Sequence, residues 1–121
     1  MKLYRSCVFA ALALPACAST THVPASHAAA GARNAIATAE GAGAAQTPPA
    51  EQHLRLAQDQ YATAQKLIER GAPAQANAML VRARGDAELA LSLAREASAQ
   101  AEARQVGDRI RVLSTTSATQ P

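Results

Sequence analysis

An alanine-rich stretch from residue 49 to residue 113 is the feature that most constrains this fold. Strong helix formers such as alanine, leucine, glutamine, glutamate and arginine dominate it, and the strand-favouring β-branched and aromatic residues are scarce. One short break divides the stretch, at Gly71-Ala72-Pro73. Glycine often ends a helix, and proline is tolerated in the first turn of the next one. The stretch therefore predicts two helices that a tight turn makes antiparallel neighbours.

Apolar residues recur at steps of three and four in both arms, which puts them on one face of each helix. We expect these faces to form the core, and their many alanines to let the backbones approach closely. The first-arm positions are Leu54, Ala57, Tyr61, Ala64 and Ile68. The second-arm positions are Leu80, Ala83, Ala87, Leu91, Ala94, Ser98 and Ala101.

Gly85 leaves two interpretations of the second arm open. Gly85-Asp86 could end one helix and cap the next, or a single long helix could carry the glycine at a cost of about 1 kcal/mol. The apolar spacing keeps its phase across Gly85, which favours the single helix.

The chain has 121 residues, enough for one small domain, and only 2% of them are aromatic. Alanine buries little surface, so we expect a thin core and modest stability. A further short helix is predicted at residues 34–46, where Asn34 can cap its start and Thr47-Pro48-Pro49 ends it. The predicted fold is all-α, a short helix followed by a long antiparallel helical hairpin.

The N-terminal residues have the pattern of a secretory signal. Lys2 and Arg5 precede an apolar run at residues 7–14, which is too short to span a bilayer. The run ends in Leu14-Pro15-Ala16-Cys17, which resembles the bacterial lipobox. The resemblance implies that Leu14 and Ala16 direct cleavage, that Cys17 becomes the lipidated N-terminus, and that Ala18 directs the protein to the outer membrane. The alternative is a secreted, soluble periplasmic protein that is cut after Ala13 or Ala18.

Four segments follow from these patterns. They are a signal peptide at 1–16, a lipidated cysteine with a flexible tether at 17–33, a helical domain at 34–113 and a disordered tail at 114–121. His22 and His27 lie in the tether and His53 in the first long helix, and no further ligand stands at a metal-site spacing. We therefore expect no metal and no cofactor. Cys7 would leave with the signal, so no disulfide is expected.

The charge does not indicate a nucleic-acid partner. Without Lys2 and Arg5, the 12 basic residues become 10 against 9 acids, a net charge of +1. The remaining arginines alternate with acids along the second arm, which is typical of a solvated helix face rather than a basic patch.

An enzyme is not expected, because catalysis needs a pocket of oriented polar groups. The nearest candidate pair, Asp86 with Glu88, is better explained by capping or solvation. Another alternative is a single tetratricopeptide-like adaptor acting by self-association, since repeat arrays need about three units. A membrane-surface helix is disfavoured, because alanine replaces the bulky apolar residues it needs.

The end of the second arm predicts an association surface. Residues 51–70 make a helix of about 30 Å and residues 74–113 one of about 60 Å, so the first arm covers the second only to about Leu93. The apolar stripe continues to Val106, Ile110 and Leu113 without an intramolecular neighbour, which suggests a second copy or an envelope protein as partner. The alternative is that this segment frays and its large residues stay solvated singly.

Several short blocks resemble a family of bacterial lipoproteins known as domain of unknown function 4398, over residues 34–105. They include Ala35-Ile36-Ala37, Pro49-Ala50-Glu51, Gly71 and, most distinctively, Asp86-Ala87-Glu88-Leu89-Ala90. The resemblance implies an envelope lipoprotein with no assigned catalytic residues. The leading hypothesis is a lipid-anchored, non-enzymatic structural or interaction module. Its expected partners are the membrane through the lipid, an envelope protein or peptidoglycan, and a second copy of itself.

Overall fold

The computed structural model describes residues 24–119, and three α-helices account for most of them. Helix α1 spans Ala25–Gly41, a single 3₁₀ turn spans Ala44–Gln46, α2 spans Pro48–Glu69 and α3 spans Pro73–Thr119. This order confirms the predicted all-α class, with a shorter helix before a long helical hairpin. The signal residues at 1–16, Cys17 and the first part of the tether lie outside the described residues.

The three helices run up, down and up around two small clusters of buried residues. One cluster joins the first half of α1 to the end of α2 and the start of α3, through Ala32, Ala64 and Leu80. The other joins the end of α1 to the start of α2 and the middle of α3. Helices α1 and α3 are therefore parallel, and α2 is antiparallel to both. The start of α1 lies at the same end of the bundle as the α2–α3 turn.

The buried residues of α3 alternate steps of four and three, the spacing with which helices interlock along a narrow seam. Most of them are alanines, so the helix backbones can approach closely, and Leu80 is the largest fully buried side chain among the described residues. The series is Ala76, Leu80, Ala83, Ala87, Ala90 and Ala94. It passes Gly85 without a break, which confirms the single long helix.

Helix α2 ends at a glycine, as predicted, in the turn that leads to α3. Gly71 adopts φ 73°, the left-handed region that glycine enters without a Cβ penalty. The Ala72 amide donates to the Leu67 carbonyl at 2.9 Å, and the Gly71 amide donates to the Ile68 carbonyl at 3.0 Å. These two bonds satisfy carbonyls that the helix end would otherwise leave free. Helix α3 then begins at Pro73, as predicted.

The start of the first helix was predicted wrongly. The flexible tether was placed at 17–33, whereas α1 begins at Ala25, so Asn34 lies inside the helix rather than at its cap. Residues 25–33 are helical because Ala32 is fully buried between the other two helices, which stabilises a segment whose own apolar pattern is weak. The helix also ends at Gly41 rather than at 46.

The tail was also predicted wrongly, because residues 114–119 continue α3. The hydroxyl groups of residues 114–117 donate to carbonyls of the preceding turn instead of competing with the helix. Ser114 bonds the Arg111 carbonyl at 2.8 Å, and Ser117 bonds that of Leu113 at 2.9 Å. Such back-bonds let serine and threonine stay helical.

Three positions expected in the core are exposed. Ile68 is 38% exposed, and the neighbouring Leu67 packs on the core instead, because α2 contacts both α1 and α3 and its buried face is wider than one stripe. Ser98 and Ala101 are exposed because they lie beyond the other helices. No described helix is both long and apolar enough to cross a membrane.

Candidate functional site

The end of α3 carries the predicted association residues and extends beyond the rest of the bundle. Among the described residues of α3, Ala94 is the last that is buried, and residues 98–118 are all exposed. The bundle thus covers α3 about as far as the helix lengths predicted. We call residues 98–119 the projecting segment. It is about 33 Å long at 1.5 Å per residue.

The projecting segment presents large apolar side chains to solvent. Val106 is 54% exposed, Ile110 62% and Leu113 67%. Val112 is exposed as well, at 63%. Single exposed apolar residues are ordinary, but several on one helix end are a candidate contact surface. Leu14, Ala16 and Cys17 of the proposed cleavage and lipidation motif lie outside the described residues.

The sequence predicted that Val106, Ile110 and Leu113 continue the core stripe of α3. This prediction is wrong. The step from Ala101 to Val106 is five residues, which turns the helix face by about 140°. Val106, Ile110 and Leu113 therefore lie about 100° to 160° around α3 from Ala94. Because the α3 core residues cluster around the direction of Ala94, the association residues occupy a separate, outward face.

A polar cluster between α2 and α3 was missed by the sequence analysis. His53 Nδ1 lies 3.2 Å from Asp86 Oδ1, and Gln60 Nε2 donates to Asp86 Oδ2 at 2.8 Å. The side chains of His53 and Asp86 are 32% and 24% exposed. Asp86 thus connects two turns of α2 to the first half of α3, and it lies inside the helix rather than at a cap.

The spacing of this cluster is visible in the sequence once the interface is known. His53 and Gln60 are seven residues apart and so lie on one face of α2, and Asp86 precedes a buried alanine of α3. Periodicity alone does not show which polar residues border an interface. Gln60 Oε1 is buried without a hydrogen-bond partner.

The carboxylates of Asp86 and Glu88 do not converge. Asp86 faces α2, whereas Glu88 is exposed and accepts a bond from Arg84 Nε at 2.7 Å. Two residues of separation place them on nearly opposite sides of α3. The arrangement gives Asp86 an interhelical role and Glu88 a role on the helix surface.

A second polar contact joins α1 to α2. Arg33 Nε and Gln65 Nε2 both donate to the Tyr61 hydroxyl, at 3.2 and 2.8 Å. The Arg33 guanidinium carbon lies 5.8 Å from the centre of the Tyr61 ring, within the range of a cation–π contact. These contacts connect α1 to α2.

Of the two histidines predicted to lie in the flexible tether, His27 is on a helix, and His22 lies outside the described residues. His27 belongs to α1, beside a shallow groove between α1 and α3 that is also lined by Gly31, Leu80 and Arg84. His53 lies 26 residues further along the chain, in α2. Within residues 24–119, no three histidine, cysteine or acidic side chains gather at a potential metal site.

Comparison with known proteins gives one match. A family model described as Domain of unknown function (DUF4398) matches residues 27–106. The match spans α1, α2 and most of α3, and it stops inside the projecting segment. No similar curated protein and no similar solved structure was found.

Proposed function

The chain belongs to the family described as domain of unknown function 4398. On that premise we propose that it is a lipid-anchored, non-enzymatic protein of the bacterial cell envelope. We place it in the outer membrane, facing the periplasm. It serves there as a structural or protein-interaction module. The observation that carries this proposal is the projecting segment, a helix end with Val106, Ile110 and Leu113 exposed on one face.

The helix directions place the proposed anchor and the proposed interaction surface at opposite ends of the molecule. Cys17 precedes the start of α1 by eight residues, which span at most about 28 Å when fully extended. The start of α1 lies at the end of the bundle opposite to the projecting segment, since α1 and α3 are parallel. A lipid at Cys17 would thus hold one end of the molecule while the other end stays accessible to a partner.

The polar clusters support a non-enzymatic role. Asp86 is occupied by His53 and Gln60, and Tyr61 by Arg33 and Gln65, so both clusters connect helices. A catalytic group would instead be oriented toward a space that a substrate can enter. The interaction surface on α3, rather than either cluster, is what a partner meets.

Replacement of Cys17 tests the anchor. Cys17→Ser should move the protein from the membrane fraction to the soluble fraction, because one thiol carries the lipid and stable anchoring needs the acyl chains. Metabolic labelling with palmitate and fractionation of intact cells measure this change. Cys7→Ser is the matched control, since Cys7 lies in the cleaved leader, and it should behave as the wild type does. A wild-type protein that takes up no palmitate and fractionates as soluble would refute the lipid anchor.

A further inference from the structure

The outward face of the projecting segment has the spacing of a coiled-coil seam. Its apolar residues alternate steps of four and three, as the core residues of α3 do on the other side of the helix. We call this set the outer seam: Ala99, Ala103, Val106, Ile110 and Leu113, all of them exposed. A seam of this kind is buried when a second helix lies along it.

The bundle leaves the outer seam free for another helix. Its residues lie between about 100° and 180° around α3 from Ala94, which faces the core. Val81 has the same direction further back along α3 and is 66% exposed, although it also borders the groove between α1 and α3. A partner helix can therefore lie along the projecting segment, whose residues 98–118 are all exposed.

Among the described residues, no other helix packs on the projecting segment. Residues 98–118 are exposed, and the segment includes Gly107, which weakens a helix by about 1 kcal/mol relative to alanine. Helices in water gain most of their stability from packing an apolar face. A partner on the outer seam would supply the packing that the bundle does not.

The charges beside the outer seam identify the partner. Glu102 and Arg109 each precede a seam residue and flank the seam on the same side, seven residues apart. Within residues 24–119, neither of them takes part in an ion pair, whereas the neighbouring Asp108 pairs with Arg111. Two opposite charges on one flank of a seam are self-complementary when the second helix runs in the opposite direction.

We propose that the partner is a second copy of this chain, packed antiparallel along the outer seam, an inference that rests on the interaction role proposed above. Ala103 then lies opposite Val106 of the second copy, and Ala99 lies opposite its Ile110. Glu102 faces Arg109 of the second copy, and the two-fold axis repeats the pair.

The alternative arrangements do not use these charges. A parallel, in-register pair places Glu102 beside Gly107 and Arg109 beside Ser114, and neither contact is an ion pair. An antiparallel pair shifted by one heptad brings the two Arg109 side chains together, which is repulsive. Charge complementarity thus selects both the direction and the register.

Disulfide trapping tests the direction. The full chain carries Cys7→Ser and Cys17→Ser, so that only an added thiol can form a bridge and the outcome does not depend on the lipid. A mixture of Ala99→Cys and Ile110→Cys chains should give an oxidised heterodimer on a non-reducing gel. Ala99→Cys alone should give none, because its two copies would be about 16 Å apart along the helix axis. Dimers of Ala99→Cys alone would show parallel packing and overturn the proposal.

Charge exchange tests the register in the same full chain by sedimentation. Glu102→Arg and Arg109→Glu should each raise the dimer dissociation constant about tenfold or more, since two attractive pairs become repulsive. The double variant should return it to within about threefold of the parent value, because the pairs re-form with exchanged signs. Asp108→Arg, on the far side of the helix, is the control and should leave it unchanged. A chain that is monomeric throughout, or a double variant without rescue, would overturn the proposal and leave the test of the lipid anchor unaffected.

Discussion

At the scale of single residues, Gly71 and Gly85 have different backbone conformations, so one substitution should act in opposite directions. Gly71 has φ 73°, whereas Gly85 lies within regular helix with open space where a Cβ would stand. Gly71→Ala should destabilise the protein by about 1 kcal/mol, and Gly85→Ala should stabilise it by a similar amount. Chemical denaturation of both variants beside the wild type measures the difference. Shifts of the same sign would contradict the assigned conformations.

Asp86 and Glu88, both in the first half of α3, should also differ in their effect on stability. Asp86→Ala removes an acceptor from Gln60 and a contact from His53, which should cost about 1–3 kcal/mol although alanine is the better helix former. Glu88→Ala loses only an exposed contact with Arg84 and should cost about 0.5 kcal/mol or less. Equal losses in a denaturation experiment would show that the cluster contributes no more than a surface pair.

At the scale of helices, the sequence predicted α2, α3 and their turn, because apolar periodicity and the Gly71-Ala72-Pro73 break are local signals. The limits of α1 were missed, since residues 25–33 become helical through the burial of Ala32 against two distant helices. The Asp86 cluster was missed for the same reason, as its partners belong to another helix. The exposed association residues Val106, Ile110 and Leu113 were predicted, but the face they occupy was not. The five-residue step from Ala101 to Val106 places them on a different face of α3 from the core stripe.

Helix α3 should show two levels of local stability. Its amides near Leu80 lie beneath packed helices, whereas no other described helix covers residues 98–119. Hydrogen exchange at high dilution should therefore be slow around residues 76–94 and fast in the projecting segment. Raising the protein concentration should slow exchange along the outer seam, as self-association covers it. Uniform protection of α3 at high dilution would contradict this description.

At the scale of the whole molecule, α3 determines the dimensions. Its 47 residues make a rod of about 70 Å, and α1 and α2 cover little more than its first half. The start of α1 and the end of α3 lie at opposite ends of this rod. In an antiparallel dimer with the proposed register, the two α2–α3 turns would be about 95 Å apart. Two anchored copies could then lie along one membrane or connect two opposed surfaces.

The alanine lining of the core has a calorimetric consequence. Heat capacity rises on unfolding chiefly because apolar surface becomes hydrated, and alanine side chains conceal little of it. The projecting segment is about a fifth of the chain, and its described side chains are all exposed, so it buries little apolar surface. The increase in heat capacity on unfolding should therefore be smaller than the roughly 1.2–1.5 kcal/mol/K that is usual for 100 residues. A small increase flattens the curve of stability against temperature, so a protein of this build changes little in stability on cooling and melts over a broad range.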